Sequence, residues 1–107
     1  HGFHIHQYGD CSAANGTSAG GHYNPAVVDH AGPKAEESHM GDLGNIEAKA
    51  EGVASFDVVY PAVDMAMIIG RGLIVHAGED DLESQPTGAA GARLGCGVIG
   101  VAAMPGE

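Results

Sequence analysis

Histidine is the most unusual component of this sequence. Seven histidines occur among 107 residues, alongside only 4 Lys and Arg. His4 and His6 alternate with Phe3 and Ile5, and this period-2 pattern predicts a β-strand on which both imidazoles share one face. Imidazole nitrogen is the commonest metal ligand in proteins. The strand is therefore a candidate metal site, although a histidine on a strand face is more often packed or solvated than a ligand.

A second group of candidate ligands lies in one long loop. The group consists of His22, His30, His39 and Asp42. Three imidazoles and one carboxylate form a complete tetrahedral set for Zn²⁺, which accepts nitrogen and oxygen donors. Such a closed site is structural, and the ion would order a loop that has no core of its own. The alternative interpretation is that these side chains decorate the surface.

His76 ends an apolar run and precedes an acidic stretch that includes Asp80. Together with His4, His6 and one loop histidine it would supply four nitrogens, a set that favours Cu²⁺. The residues therefore predict a metalloprotein with two kinds of site. By themselves they do not choose a reaction.

Composition and charge exclude several classes of partner. The formal net charge is −10, so we expect no nucleic-acid partner, which would require a basic face. The chain contains no run of 18 apolar residues, so we expect no membrane insertion. With 18 glycines and 5% aromatic residues, the composition favours a loop-rich β protein over a helical bundle.

Hydrophobic patterning predicts one all-β domain over residues 1–107, a sandwich or a barrel. The expected strands include residues 3–6, a hairpin of 46–50 and 53–59 with a turn at Glu51-Gly52, and the runs 63–69, 73–76 and 98–103. Two polar loops, residues 9–44 and 79–91, separate them. Cys11 and Cys96 are either two buried free thiols or a disulfide worth roughly 4 kcal/mol in the chain-entropy model.

Six segments carry a resemblance that runs through the chain in order. They are residues 1–10 (HGFHIHQYGD), 21–25 (GHYNP), 41–45 (GDLGN), 68–71 (IIGR), 80–82 (DDL) and 87–100 (TGAAGARLGCGVIG). The chain resembles the copper,zinc superoxide dismutases, a family of oxidoreductases. The resemblance implies a Greek-key β-sandwich or flattened barrel with two long loops. It also implies copper and zinc as cofactors and the superoxide anion as substrate, converted to O₂ and H₂O₂ while copper cycles between Cu²⁺ and Cu⁺.

The resemblance also assigns roles to individual residues. It implies that copper is held by His4, His6, His22 and His76, and zinc by His22, His30, His39 and Asp42, with the imidazolate of His22 shared between them. It further implies a Cys11–Cys96 disulfide and a carboxylate, Asp80, that links His4 to His30. Arg93 and His22 are the expected catalytic residues. A chain of charge −10 should repel superoxide, so a local positive group such as Arg93 is needed to attract it.

The sequence departs from the family at its N-terminus and in two internal segments, residues 82–86 and 58–69, of which the second is shorter than the family's. The family's chain begins well before residue 1, so the N-terminal strands of the sandwich are expected to be lacking. We therefore expect a homodimer or larger assembly that covers the open side, while a fragment and a second chain that supplies the strands are the alternatives. Only LESQP separates Asp81 from Thr87, which resembles the bacterial secreted branch and predicts a periplasmic or extracellular protein.

Three other functions compete with the dismutase. A carrier or buffer could hold copper and zinc with little turnover, a copper-only dismutase would need no zinc set, and a metal-free sandwich would need no histidines at all. Arg93 and Asp80 favour the enzyme over a carrier, because neither is needed merely to hold metal. His30, His39 and Asp42 together argue against a copper-only protein.

Overall fold

A computed structural model describes residues 1–104 and 106 and contains one antiparallel sheet of four strands. The strands are β1 (Gly2–His6), β2 (Asp42–Asn45), β3 (Gly72–His76) and β4 (Arg93–Val98). Their order in the sheet is β2-β1-β3-β4. The sequence-based prediction of an all-β protein is confirmed. The two long loops that it predicted run from β1 to β2 and from β3 to β4.

The register of the central strands places the histidines of β1 on one face of the sheet. Phe3 pairs with Val75 and Ile5 pairs with Leu73, so these side chains share one face of the sheet. His4 pairs with Ile74, and both lie on the opposite face. Four side chains form the buried apolar cluster: Ile5, Tyr23, Leu43 and Ile68. The alternation in β1 thus places its apolar side chains in the core and its imidazoles toward the loops.

Helical structure is short in the described residues. A 3₁₀ turn spans Thr17–Ala19, and the helix α1 spans Met65–Ile68. The carboxylate of Asp64 caps α1 by accepting a hydrogen bond of 3.0 Å from the backbone N–H of Ala66. Within residues 1–104 and 106, neither helix has the length or the apolar run that crossing a bilayer requires.

Three of the predicted strands do not form, and a fourth is misplaced. Residues 46–50 and 53–59 form no strand, although the backbone N–H of Lys49 donates to the carbonyl of Val53 beside the predicted turn. An isolated hairpin is marginal in water, and neither segment joins the sheet. Residues 63–69 contain α1 instead of a strand, because the Asp64 cap begins a helical turn. The last strand lies at 93–98, before the predicted 98–103.

A disulfide joins the first long loop to the last strand. The sulfur atoms of Cys11 and Cys96 are bonded at 1.99 Å, and their Cα atoms lie 5.7 Å apart. Cys96 pairs with Ile74 on the face that carries His4. The bond therefore holds the loop that contains His22 against the sheet.

Candidate metal centre

Four buried histidines converge on the loop side of the sheet. His4 and His6 come from β1 and His76 ends β3, while His22 reaches them through a bridge between its backbone and that of His6. One nitrogen from each ring lies within 4.8 Å of those of the others. All four side chains are nearly inaccessible to solvent. The structure thus brings together the four residues that the sequence proposed as copper ligands.

Each of these rings keeps one nitrogen free of hydrogen bonds within the described part of the chain. The free atoms are Nδ1 of His4 and Nε2 of His6, His22 and His76. Nδ1 of His6 lies 2.8 Å from the carbonyl of Gly20, and Nδ1 of His76 lies 3.1 Å from the carbonyl of Gly91. A carbonyl can only accept, so each Nδ1 is the N–H donor and each Nε2 carries a lone pair.

Burial favours the neutral form of three of these imidazoles, those of His4, His6 and His76. Burial, with a smaller contribution in the same direction from the neighbouring His22, lowers the pKa of His4 to about 4 and that of His6 to about 3. Burial also lowers the pKa of His76. Neutral imidazole is the form that binds a metal ion. Four buried polar atoms without a partner are otherwise unfavourable, and a bound cation would satisfy all of them at once.

The second cluster surrounds one carboxylate oxygen. Oδ1 of Asp42 lies 2.8 Å from Nδ1 of His30, 3.0 Å from Nδ1 of His22 and 3.3 Å from Nδ1 of His39. Its other oxygen accepts hydrogen bonds from the backbone N–H groups of His39 and Ala31. Burial raises the pKa of Asp42, but the hydrogen bonds from His22 and the Ala31 N–H, together with the electrostatic influence of His30 and His39, outweigh it, so the net pKa is lowered.

These four side chains fit the tetrahedral set that Zn²⁺ prefers. Mutual distance alone also groups His4 with His22, His30 and Asp42. His39 is the better fourth member, because Nε2 of His4 is engaged by Asp80 and its Nδ1 belongs to the first cluster. The structure therefore brings together His22, His30, His39 and Asp42 as the sequence expected.

His22 belongs to both clusters. Its Nδ1 faces Asp42 while its Nε2 is one of the free nitrogens of the first cluster. Its ring stacks on that of His4, with centroids 3.9 Å apart and 24° between the planes. One imidazole with its two nitrogens in two ligand sets can bind an ion through each of them.

Asp80 connects the clusters by a second route. Its Oδ2 accepts a hydrogen bond of 2.7 Å from Nε2 of His4, and its Oδ1 accepts one of 2.8 Å from Nε2 of His30. These bonds direct Nδ1 of His4 toward the first cluster and Nδ1 of His30 toward Asp42. Asn45 holds the backbone of Asp80 by donating to its carbonyl and accepting from its N–H.

Arg93 places a positive charge beside the first cluster. Its Nη1 donates a hydrogen bond of 2.9 Å to the carbonyl of Gly16, which restrains the guanidinium. The side chain is half-buried. Its charge is one of the influences, after burial, that lower the pKa of His6 and of His76. An anion attracted to Arg93 would therefore arrive close to two of the free nitrogens.

Sequence reasoning missed three residues that support this centre. Asn45 holds Asp80, Gln85 bonds to the backbone of His30, and Gly88 packs against the Asp80–His30 hydrogen bond. Asn45 lies within the GDLGN segment, which the sequence had singled out for another reason. No spacing could have revealed Gln85, because it contacts a residue 55 positions away.

Comparison with known proteins gives a consistent result. Residues 1–99 match the copper/zinc superoxide dismutase (SODC) family. An extracellular superoxide dismutase [Cu-Zn] of Onchocerca volvulus is 50% identical, over 97% of this chain and 57% of its own length. Another of the same description, from Drosophila melanogaster, is 50% identical over 94% of this chain and 60% of its own length. The chain thus spans less than two thirds of both relatives.

Proposed function

The chain belongs to the copper/zinc superoxide dismutase family, and we propose that it disproportionates superoxide. Two superoxide anions and two protons would give one O₂ and one H₂O₂, so atoms and charge balance. The observation that carries the proposal is the set of four buried imidazoles with one unbonded nitrogen each. This donor set beside Arg93 suits a redox ion that receives a small anion.

The ring nitrogens without hydrogen bonds define the proposed copper ligands, and the side chains gathered around Asp42 define the proposed zinc ligands. Copper would bind Nδ1 of His4 and Nε2 of His6, His22 and His76, and zinc would bind the four side chains around Asp42. Copper supplies one-electron redox chemistry, whereas zinc is d¹⁰ and supplies only structure and charge. Asp80 orients one ligand of each set through its two oxygens.

Two residues would act on the substrate. Arg93 would attract superoxide and hold it beside the first cluster by charge and by its remaining N–H donors. His22 would take up a proton at Nε2 when that nitrogen is not bound to metal, and would release it toward the reduced product. Because the protein carries a net charge of −10, this local positive group would matter for the rate of capture.

The alternative is a carrier or buffer of copper and zinc with little turnover. Arg93 supports the enzyme, because its guanidinium lies near His6 and His76 without serving as a ligand. The bridge through Asp80 supports it as well, since fast turnover requires a rigid ligand geometry. The complete cluster around Asp42 supports a copper–zinc protein over a copper-only one.

Location and assembly are also part of the proposal. The relatives are named extracellular, and a disulfide between Cys11 and Cys96 suits an oxidising compartment, so we place the protein in the periplasm or outside the cell. We propose a single superoxide dismutase-like domain that forms a homodimer or larger assembly. The half-buried Phe3 and Leu73 and the exposed Gly95 and Gly97 leave the apolar face of the sheet partly open.

One experiment separates the dismutase from the carrier. The 107-residue chain is loaded with copper and zinc, its metal content is measured, and superoxide consumption is followed in the same sample. The dismutase predicts about one copper and one zinc per chain together with catalytic consumption that disappears when copper is removed. Full metal content without turnover would support the carrier, and sedimentation at micromolar concentration as a folded monomer would contradict the assembly.

A further inference from the structure

We propose that Gln85 is a positioning residue that holds the backbone of His30 and thereby sets the geometry of the zinc site. Oε1 of Gln85 accepts a hydrogen bond of 2.7 Å from the backbone N–H of His30, and Nε2 donates one of 2.7 Å to the carbonyl of the same residue. The primary amide thus pairs with both backbone groups of one residue, as a neighbouring strand would. This inference rests on the proposed function.

The amide of Gln85 also makes a third hydrogen bond, within its own loop. Nε2 also donates a hydrogen bond of 2.9 Å to the carbonyl of Glu83 in its own loop. Both donors and the acceptor of the amide are therefore engaged. Gln85 can link the loop of residues 79–91 to the first long loop only in this orientation, because a rotated amide would oppose an oxygen to the His30 carbonyl.

His30 is the residue for which such a link matters. Its Nδ1 lies 2.8 Å from Oδ1 of Asp42, and its Nε2 lies 2.8 Å from Oδ1 of Asp80. Both ring nitrogens must keep these directions for the ring to bind zinc and to reach the copper side through Asp80. His30 lies in a loop between the 3₁₀ turn and β2, without a strand to hold it. A backbone clamp supplies that restraint.

A second side-chain amide holds Asp80, the partner of His30 in the His30–Asp80 hydrogen bond, in the same way. Asn45 pairs with the N–H and the carbonyl of Asp80 at 2.7 and 2.9 Å. The His30–Asp80 hydrogen bond therefore joins two residues whose backbones are each held by one side-chain amide.

The test is zinc binding by the metal-free 107-residue chain, measured by competition with a chromophoric chelator. Gln85→Ala removes both bonds, and Gln85→Glu keeps the acceptor but replaces the donor facing the His30 carbonyl. We expect zinc affinity to fall about 10-fold in both, the lower end of what residues outside the ligand shell contribute. Glu83→Gln is the matched control, because it changes an exposed side chain in the same loop and should retain the parent affinity.

Two results would overturn the clamp. The first is zinc affinity in folded Gln85 variants within twofold of the Glu83→Gln control. The second needs no variant: amide hydrogen exchange at His30 in the unmodified chain should be protected, and exchange as fast as in an open loop would contradict the Gln85 bond. The outcome is independent of turnover, because a chain that consumes no superoxide would refute the dismutase while the zinc titration still decides the role of Gln85.

Discussion

Nδ1 of His22 lies 3.0 Å from Oδ1 of Asp42, although the two residues are 20 positions apart and the other nitrogen of the same ring faces a different cluster. This contact makes the ring a connection between two donor sets. Asp42 gathers three imidazoles around one oxygen, and His22 alone of these three also offers a free nitrogen on the opposite side.

The first prediction concerns this shared ring. His22→Ala removes a donor from both sets, so we expect it to abolish dismutation and to weaken the binding of both copper and zinc. His39→Ala removes a donor from the cluster around Asp42 only, so it should weaken zinc binding. Its copper affinity, measured without zinc, should equal that of the unmodified chain. Metal titrations of the two variants test this difference. Loss of zinc alone in His22→Ala would contradict the shared ring.

A second prediction concerns substrate capture. Arg93→Ala removes the positive charge near His6 and His76, so superoxide consumption should slow and should depend less on ionic strength, because steering of an anion by charge is screened by salt. Copper content should stay at the parent value. Arg93→Lys keeps the charge but loses the planar fork, and should retain most of the salt dependence. A rate and salt dependence in Arg93→Ala equal to the parent would exclude this role.

A third prediction concerns the backbone beside the Asp80–His30 bond. A methyl group at Gly88 would lie 2.6 Å from Cγ of Asp80 and 2.7 Å from Nε2 of His30, so Gly88→Ala must displace one of them. We expect a destabilisation of about 1–3 kcal/mol, on top of the strain of its positive φ, and weaker zinc binding. Gly52→Ala has a similar φ of +84° and open space around it, so it reports the backbone strain alone. Equal effects of the two substitutions would contradict the packing argument.

A fourth prediction concerns the disulfide. Cys11 and Cys96 are 85 positions apart, and closing so long a loop contributes about 4 kcal/mol in the chain-entropy model. Thermal unfolding in the presence of a reductant, or of the Cys11→Ser/Cys96→Ser double variant, should therefore show a clearly lower Tm than the oxidised chain. An unchanged Tm would mean that the bond does not form in solution.

The sequence predicted most reliably the segments in which a local pattern and the tertiary structure agree. The alternation in residues 3–6 and the apolar run 73–76 became β1 and β3 because both pair in the middle of the sheet. The apolar alternation after Asn45 predicted strands that do not form, because a strand is stable only beside a partner. β2 was overlooked, since Gly44 and Asn45 conceal a strand whose partner, β1, lies some 40 positions earlier.

The last strand shows a related limit. Gly95 and Gly97 remove every second side chain from β4, so the sequence shows no alternation there. The apolar residues that follow were predicted as the strand instead, five positions after the residue at which β4 begins. The candidate ligands were easier to name, because histidine is rare and carries its chemistry in its own side chain. Gln85 and Gly88 were not recognisable, since their roles depend on backbone groups of distant residues.

The central claim is that two ions lie on opposite sides of the His22 ring. A crystal structure of the chain loaded with both metals, with anomalous diffraction recorded at the copper and zinc absorption edges, tests it directly. The account predicts a copper peak at Nε2 of His22, in contact with His4, His6 and His76, and a zinc peak at Nδ1 beside Asp42. Peaks that leave either nitrogen of His22 without a metal, or no peak among these histidines, would contradict it.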